Sequence, residues 1–489
     1  MMGKSLKADT ISSLFWKLLE RGGNQIVQLV VQIFMARLLS PEEFGALAIM
    51  MVLIGIGNVI VQSGLNAAIV QAGEIDTADL STVFWLCFCT SLILFAAIFF
   101  VAPVIASFYA MPYIVLPLRA LGFLLLITSF NSVQVAIVQR ELQLKKVFNA
   151  TMSAVFVSGA MGIASAYAGL GLWALVVQQL AYQAVSCIVL GLQVRWFPSL
   201  VFDHAKAKKH YAYSWKLLVS GIIDQCYGSL SDLIIGKQFS TVSLGLVSQG
   251  KRYPRALGSM LDGAIQPVML SAISRVQKNA VAVRRLVRRA LKTSTFLIAP
   301  SMTLFAVCAE PIVVMLLGEK WLPCVPFLQM YCFVYALRPI HTTNLQALNG
   351  VGRTDLFLGL ELIKKAYGTC FILFGAFVLQ DVYLMVAMYM LSGVISTFVN
   401  VWPNKKVIGY SYSEQVRDIC PAFLLAAVSG AAAYCVVFLG FPDIATIALQ
   451  IVVMAVLYLG LAKLFRVEEL DYLLATAKEV LGKRKTAEK

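Results

Sequence analysis

Trp16-Lys17-Leu18-Leu19 returns about 200 residues later as Trp215-Lys216-Leu217-Leu218, and the likeness continues in register beyond it. Asn24-Gln25 recurs as Asp224-Gln225, and Arg37, Ser40 and Gly45 recur as Lys237, Ser240 and Gly245. Further along, Pro103-Val104-Ile105 pairs with Pro311-Ile312-Val313, and Leu116-Pro117-Leu118 with Val325-Pro326-Phe327. Matches in one order at nearly constant offset read as an internal duplication, so the chain holds the same unit twice. In a membrane chain a duplicated bundle suits a transporter, because two similar halves can rock about a site between them.

Composition supplies the membrane. Of the 489 residues 60% are hydrophobic and 13% charged, with a mean hydropathy of +0.80, whereas soluble domains are about 25% charged. Apolar stretches long enough to cross a ~30 Å hydrocarbon core as helix occur about fourteen times between residues 13 and 465. The predicted fold class is an all-α polytopic membrane protein. Its expected parts are an N-terminal segment 1–12, a first half 13–193, a connection 194–211, a second half 212–403, a connection 404–417, two further transmembrane helices in 418–465 and a basic amphipathic tail 466–489.

An even number of spans puts both termini on one side, and basic residues say which. Lys145, Lys146, Lys206, Lys208, Lys209, Arg284, Arg285, Lys405, Lys406 and Lys483 all fall in one set of alternate connections and ends. The opposite set carries only Arg37, Arg119, Lys237 and Lys320. This asymmetry predicts cytoplasmic N- and C-termini. The net charge of +15 is thereby a topology signal and calls for no nucleic-acid partner. The longest connections hold under 20 residues, too few for a soluble catalytic domain. No signal peptide is expected, since no small-residue cleavage site precedes the first span.

Motifs for chemistry are absent. Gly3-Lys4-Ser5 lacks the upstream glycine and the strand of a phosphate-binding loop, and the glycines of Gly169-Leu170-Gly171 lie between two apolar spans as a tight helix connection. The ten cysteines are scattered; Cys87 and Cys89, two apart on a helix, cannot face one metal, and all read as small apolar packing residues. His204 and His210 stand in a basic connection and are expected to be solvated. The expectation is no enzyme, no metal and no cofactor.

The informative residues are the charges inside apolar spans, each costing at least about 2.5 kcal/mol at mid-membrane unless it faces a polar cavity or a partner. Lys251, Arg252, Arg255 and Arg338 lie deep in their spans; Arg21, Lys364 and Lys365 are also internal, and Asp224 and Asp232 share a helix face. These are the candidate substrate-binding residues of a hydrated, net-basic lumen suited to an anionic solute. Asp262 is a candidate ion-pair partner for Arg255, as is Glu361 for Lys364 or Lys365. Asn58, Gln62, Asn131, Gln134, Asn344 and Gln346 offer hydrogen bonds either to a sugar or between helices. Pro254, Pro267, Pro300, Pro311 and Pro339 are candidate kinks. Val281 to Lys292 and the tail both alternate basic and apolar residues, as segments lying on an anionic inner leaflet do.

Ala36-Arg37-Leu38-Leu39-Ser40-Pro41-Glu42-Glu43-Phe44-Gly45, Gly64-Leu65-Asn66-Ala67-Ala68-Ile69-Val70-Gln71 and Phe84-Trp85 resemble the first half of Wzx-type polysaccharide flippases, particularly the colanic-acid exporter branch. Gln139-Arg140-Glu141-Leu142, Asp232-Leu233-Ile234-Ile235-Gly236-Lys237, Gly318-Glu319-Lys320-Trp321-Leu322-Pro323 and Gly352-Arg353-Thr354-Asp355 are similar to its later landmarks. The resemblance covers roughly residues 10 to 465. It implies the multidrug/oligosaccharidyl-lipid/polysaccharide exporter fold, with two six-helix bundles around a central cavity plus two C-terminal helices. It also implies the substrate, an oligosaccharide carried on undecaprenyl pyrophosphate, flipped across a bacterial inner membrane by alternating access. Arg252 falls where the family often has a Tyr-Arg pair, whereas Lys251 and Pro254 depart from the usual residues. Coupling to H+ or Na+ is open, and glycan polymerase machinery is a candidate partner. Two alternatives stand beside this reading: a multidrug or cation antiporter of the same fold, which would rely on Asp224 and Asp232, and a membrane polysaccharide polymerase or ligase, which would need a large outer loop.

Overall fold

The structure, a computed structural model, describes residues 23–475 apart from Ser63 and Gly73. Trp16-Lys17-Leu18-Leu19, Arg21 and the tail beyond residue 475 lie outside the described residues. So do the side chain of Asp262 and with it the expected Arg255 pairing.

Every regular element among the described residues is helical, as hydrocarbon requires of any chain segment that must satisfy its own backbone hydrogen bonds. The elements are α1 (23–38), α2 (Pro41–Gln62), α3 (Leu65–Gln71), α4 (Thr77–Phe108), α5 (Val115–Arg140), α6 (Leu144–Tyr167), α7 (Leu172–Val194), α8 (His204–Gln238), α9 (Thr241–Val276) and α10 (Ala280–Val307). They continue as α11 (Ala309–Leu317), α12 (Val325–Ala336), α13 (Arg338–Gly350), α14 (Thr354–Phe374), α15 (Val382–Val407), α16 (Tyr412–Tyr434) and α17 (Asp443–Leu464). Among the described residues ten helical stretches are long and apolar enough to cross a membrane, which makes this a multi-pass membrane protein. The expected spans at 212–236 and 243–273 lie inside α8 and α9, 35 and 36 residues long, which are not among these ten. The expected span 323–350 is two helices. They part at Leu337, because Pro339 in the first turn of α13 has no N–H to carry the ladder across. Pro311 likewise starts a new helix past Cys308, while Pro300 is absorbed within α10.

The chain divides into two compact units, residues 1–248 and 249–489. In the first, the duplicated sequence has a structural counterpart. Ser40 caps α2, accepting from the Glu43 N–H at 3.4 Å, and Ser240 accepts from the Ser243 N–H at 3.0 Å at the start of α9. The two first turns touch backbone to backbone. A Cβ on Gly45 would stand 1.9 Å from the Thr241 carbonyl oxygen, and one on Gly245 the same 1.9 Å from that of Pro41. Corresponding residues of the two repeats thus occupy reciprocal positions in one contact that only glycine permits.

The connection 194–211 is docked onto the start of α4. Ser81 and Ser199 hydroxyls lie 2.8 Å apart, the Trp85 indole donates to the Ser199 carbonyl at 2.9 Å, and the Asp203 N–H donates to Thr82 Oγ1 at 3.1 Å. His210, expected in solvent, is instead 4% exposed with Nε2 2.9 Å from Asp79 Oδ1. Lys206 closes the group at 2.5 Å from Asp76 and 3.3 Å from Asp79. Its ammonium holds the Asp76 carboxyl well below the usual carboxylate range, and Asp76 in turn raises Lys206.

The second unit corrects the reading of Val281 to Lys292 as an interfacial segment. These residues form the first turns of α10, with Val283, Val287 and Leu291 fully buried. Their basic face meets acids: Arg284 to Glu414 and Arg288 to Asp418 at 2.6 Å each, Lys292 to Glu469 at 2.7 Å. Tyr410 donates to the other oxygen of Asp418 at 2.6 Å. Part of the basic stripe is therefore paired with acids of α16 and of the residues after α17, while Arg285, Arg288 and Arg289 stay exposed.

Two outcomes follow from these contacts. Gly45→Ala or Gly245→Ala forces two backbones apart, an overpacking cost of about 1–3 kcal/mol. The thermal midpoint in detergent drops by several degrees, while Gly393→Ala, with nothing within 4 Å, leaves it unmoved. The Asp76–Lys206 contribution is present above the ordinary carboxylate range and lost as pH falls below it, because the folded carboxyl is the depressed one. Limited proteolysis of 194–211 should therefore accelerate below about pH 4, and Asp76→Asn should show the faster cleavage already at neutral pH.

Candidate functional site

The second unit gathers ionisable and amide side chains on three helices packed together, α13, α14 and α15. Arg338 opens α13 and is exposed. One turn later His341 places Nδ1 2.8 Å from the Asn400 side-chain nitrogen of α15. From α14, Lys364 is held by Glu361 at 2.5 Å, an i to i+3 pair that meets the expectation. Tyr367 and Ser396 hydroxyls lie 2.6 Å apart across α14 and α15. The charges of Lys364 and Arg338 both reach the His341 ring. Lys365 stands next to this group, half-buried on α14.

One turn further along α13 the chemistry changes from charged to neutral. Asn344, fully buried, exchanges hydrogen bonds with Gln415 of α16 at 2.8 and 2.9 Å and accepts from Asn404 of α15 at 2.8 Å. Three amides from three helices are thus linked through Asn344. Of the two roles open to Asn344, the interhelical one is realised here.

The other candidate residues fall elsewhere. Lys251, Arg252 and Arg255 lie on α9, the first two half-buried and the last exposed, and none acts on His341. That stretch of α9 lies tight against α12: a Cβ on Gly250 would come within 2.9 Å of the Leu328 nitrogen, and one on Gly258 within 2.6 Å of the Tyr335 ring. Asp224 and Asp232 stand on α8 in the first unit, one exposed and one half-buried. No cluster of His, Cys, Asp and Glu among the described residues is arranged to hold a metal.

His341 and Asn400 were not among the candidates. The signal was nonetheless in the sequence: of three histidines, His341 is the one inside an expected span, three residues past Arg338. An imidazole there obeys the same rule as a guanidinium, since either must find a polar partner.

A polytopic helical protein with paired ionisable groups inside its spans has the build of a membrane transporter. The family model described as Polysaccharide biosynthesis protein matches residues 34–326, and the chain belongs to that family. Among its relatives, the succinoglycan biosynthesis transport protein ExoT of Rhizobium meliloti is 22% identical over 376 residues, 77% of this chain and 76% of its own. The lipopolysaccharide biosynthesis protein WzxC of Escherichia coli is 22% identical over 432 residues, 86% of each chain. The fold matches the lipid II flippase MurJ in an inward closed conformation, with a TM-score of 0.73 at 14% identity, covering 91% of this chain and 98% of that one. An inward-facing multidrug transporter of the MOP superfamily matches with a TM-score of 0.63 at 15% identity, covering 80% and 98%. The expected all-α exporter fold is thereby confirmed.

The amide cluster carries a prediction. Asn344→Leu strands Gln415 and Asn404 in the interior, a cost of about 1–3 kcal/mol for each group left without a partner. Membrane abundance should fall sharply, whereas Arg338→Gln, at an exposed position, should accumulate like the parent chain in an immunoblot of membranes.

Proposed function

We propose that this protein is a flippase that moves undecaprenyl-pyrophosphate-linked oligosaccharide repeat units from the cytoplasmic to the outer leaflet of a bacterial inner membrane, with both termini cytoplasmic. Family membership and relatives named for transport in polysaccharide biosynthesis support this reading. The observation that carries it is the placement of Arg338, Lys364 and His341 within one group of packed helices inside expected spans. Cationic side chains at such depth are unfavourable in lipid and are retained where they serve an anion.

A sugar headgroup cannot shed its water hydrogen bonds into hydrocarbon, so a polar route must replace them while the prenyl tail stays in lipid. In that route Arg338 offers a planar fork matched to phosphate oxygens, and Lys364 a compact charge. Lys251, Arg252, Arg255 and Lys365 are assigned as further basic lining of the path. Alternating inward- and outward-open states would carry the headgroup across. An inside-negative potential favours outward movement of negative charge by about 2.3 kcal/mol per charge per 100 mV.

Arg338→Gln should reduce glycan export at least tenfold with normal protein level, and Arg338→Lys should restore part of it by returning the charge without the fork. The measurement is surface polysaccharide beside membrane abundance in a strain lacking the native gene. Unchanged export in Arg338→Gln would remove Arg338 from the path.

A further inference from the structure

We propose that His341 and Asn400 form a proton-binding site linked to pyrophosphate binding, so that the imidazole takes up a proton when the anion arrives. The inference rests on the anion-binding reading above and adds to it the ion that accompanies the substrate.

The geometry specifies the resting state of the ring. Asn400 presents its NH2 group to His341 Nδ1 at 2.8 Å, so the amide donates and Nδ1 accepts. An accepting Nδ1 belongs to a neutral imidazole whose single ring proton is on Nε2. Meanwhile Asn400 Oδ1 is buried and has no hydrogen-bond partner. It is one of several buried side-chain oxygens without a partner among the described residues, and Asn400 is the one of them whose amide also meets an imidazole.

Protonation would use that oxygen. When Nδ1 takes a proton from bulk solvent, its lone pair becomes an N–H bond and it can no longer accept from the amide. A half-turn of the Asn400 amide then brings Oδ1 to the ring, and the new N–H donates to it. The pair has a hydrogen bond in either protonation state, which is what a reversible proton site needs.

The surrounding charges say when each state is favoured. The helices packed against α13 are α10, α12, α14 and α15, with Gln415 of α16 bonded to Asn344 and Ile273 of α9 against Gly350. From α14 comes Lys364, paired with Glu361, and α13 itself supplies Arg338. Asn400, facing the ring from α15, is uncharged. Among the described residues, no charge from α10 or α12 acts on the ring. Arg338, one turn away on α13, and Lys364, on the adjoining α14, put positive charge on the helices that carry this half-buried imidazole, and like charges repel. A pyrophosphate bound to Arg338 and Lys364 brings at least two negative charges to the same spot and removes the opposition. Linkage makes the effect mutual: the anion promotes the proton, and the proton tightens the anion by the same factor.

Transport then acquires a direction-sensitive partner. The anionic headgroup would cross with one negative charge offset by the proton it recruited, and release of either ligand on the far side would weaken the other.

The test uses the full-length protein in detergent with inorganic pyrophosphate as probe. Titration calorimetry between pH 5.5 and 7.5, repeated in buffers of different ionisation enthalpy, counts protons taken up on binding. Pyrophosphate itself titrates in this range, so the quantity read is the difference between the parent chain and His341→Gln, which keeps a neutral amide at the site. The expected result is an excess uptake in the parent approaching one proton. It should also show a ratio of parent to variant affinity that grows by up to about tenfold per pH unit on acidification. Equal proton counts with binding intact would overturn the proton site and leave the anion site standing. Absence of pyrophosphate binding in the parent would overturn both.

A second measurement covers the case in which His341→Gln does not fold. The chain has three histidines, so 15N-histidine spectra of the otherwise native protein, assigned with His204→Gln and His210→Gln, follow the His341 ring directly. Conversion from the Nε2–H neutral form to imidazolium on adding pyrophosphate at pH 6 is the expected outcome. A ring that stays neutral at saturating pyrophosphate rejects the proposal.

Discussion

Hydrocarbon offers no hydrogen bonds, and that single deficiency orders the molecule. It compels helices, because a helix alone closes its backbone bonds within one segment. The same deficiency favours pairing of polar side chains placed inside. Lys364 with Glu361, His341 with Asn400, and the amides of Asn344, Asn404 and Gln415 are three solutions to one problem. Where a proline withdraws an N–H, as at Pro339, the helix is divided rather than left with an unpaired ladder. Arg338 stands at that division, as the first residue of α13.

The architecture was largely legible in the sequence. Runs of about twenty apolar residues announce themselves by length, and the repeats at Ser40 and Ser240, Gly45 and Gly245 are matched in space by a shared contact. What escaped the reading depended on partners far away along the chain. Arg284 and Arg288 have the spacing of a helix resting on a membrane, and the same spacing serves a helix whose acids, Glu414 and Asp418, lie 130 residues on. His210 has the local surroundings of a solvated histidine, and its partner Asp79 is 131 residues back. Periodicity reveals a face and is silent about what covers it.

Candidate site residues were legible in kind more than in grouping. A charge in an apolar run is conspicuous wherever it stands, so Lys251, Arg252, Arg338 and Lys364 were all visible. Their division between α9 and the α13–α14–α15 group was not, since it depends on how helices pack. Asn400 is the instructive omission. Amides are common inside membrane proteins, and nothing in its neighbours separates the one that meets an imidazole from those that meet other amides.

The reciprocal glycine contact has an electrical side. Gly45 and Gly245 each stand in the first turn of a helix, so two helix N-termini are pressed together, and each carries roughly half a positive charge from its aligned peptides. Acidic residues temper this at the start of α2, where Glu42 and Glu43 stand, whereas α9 has none in its first turn. Like poles are thus held together by shape against their own field.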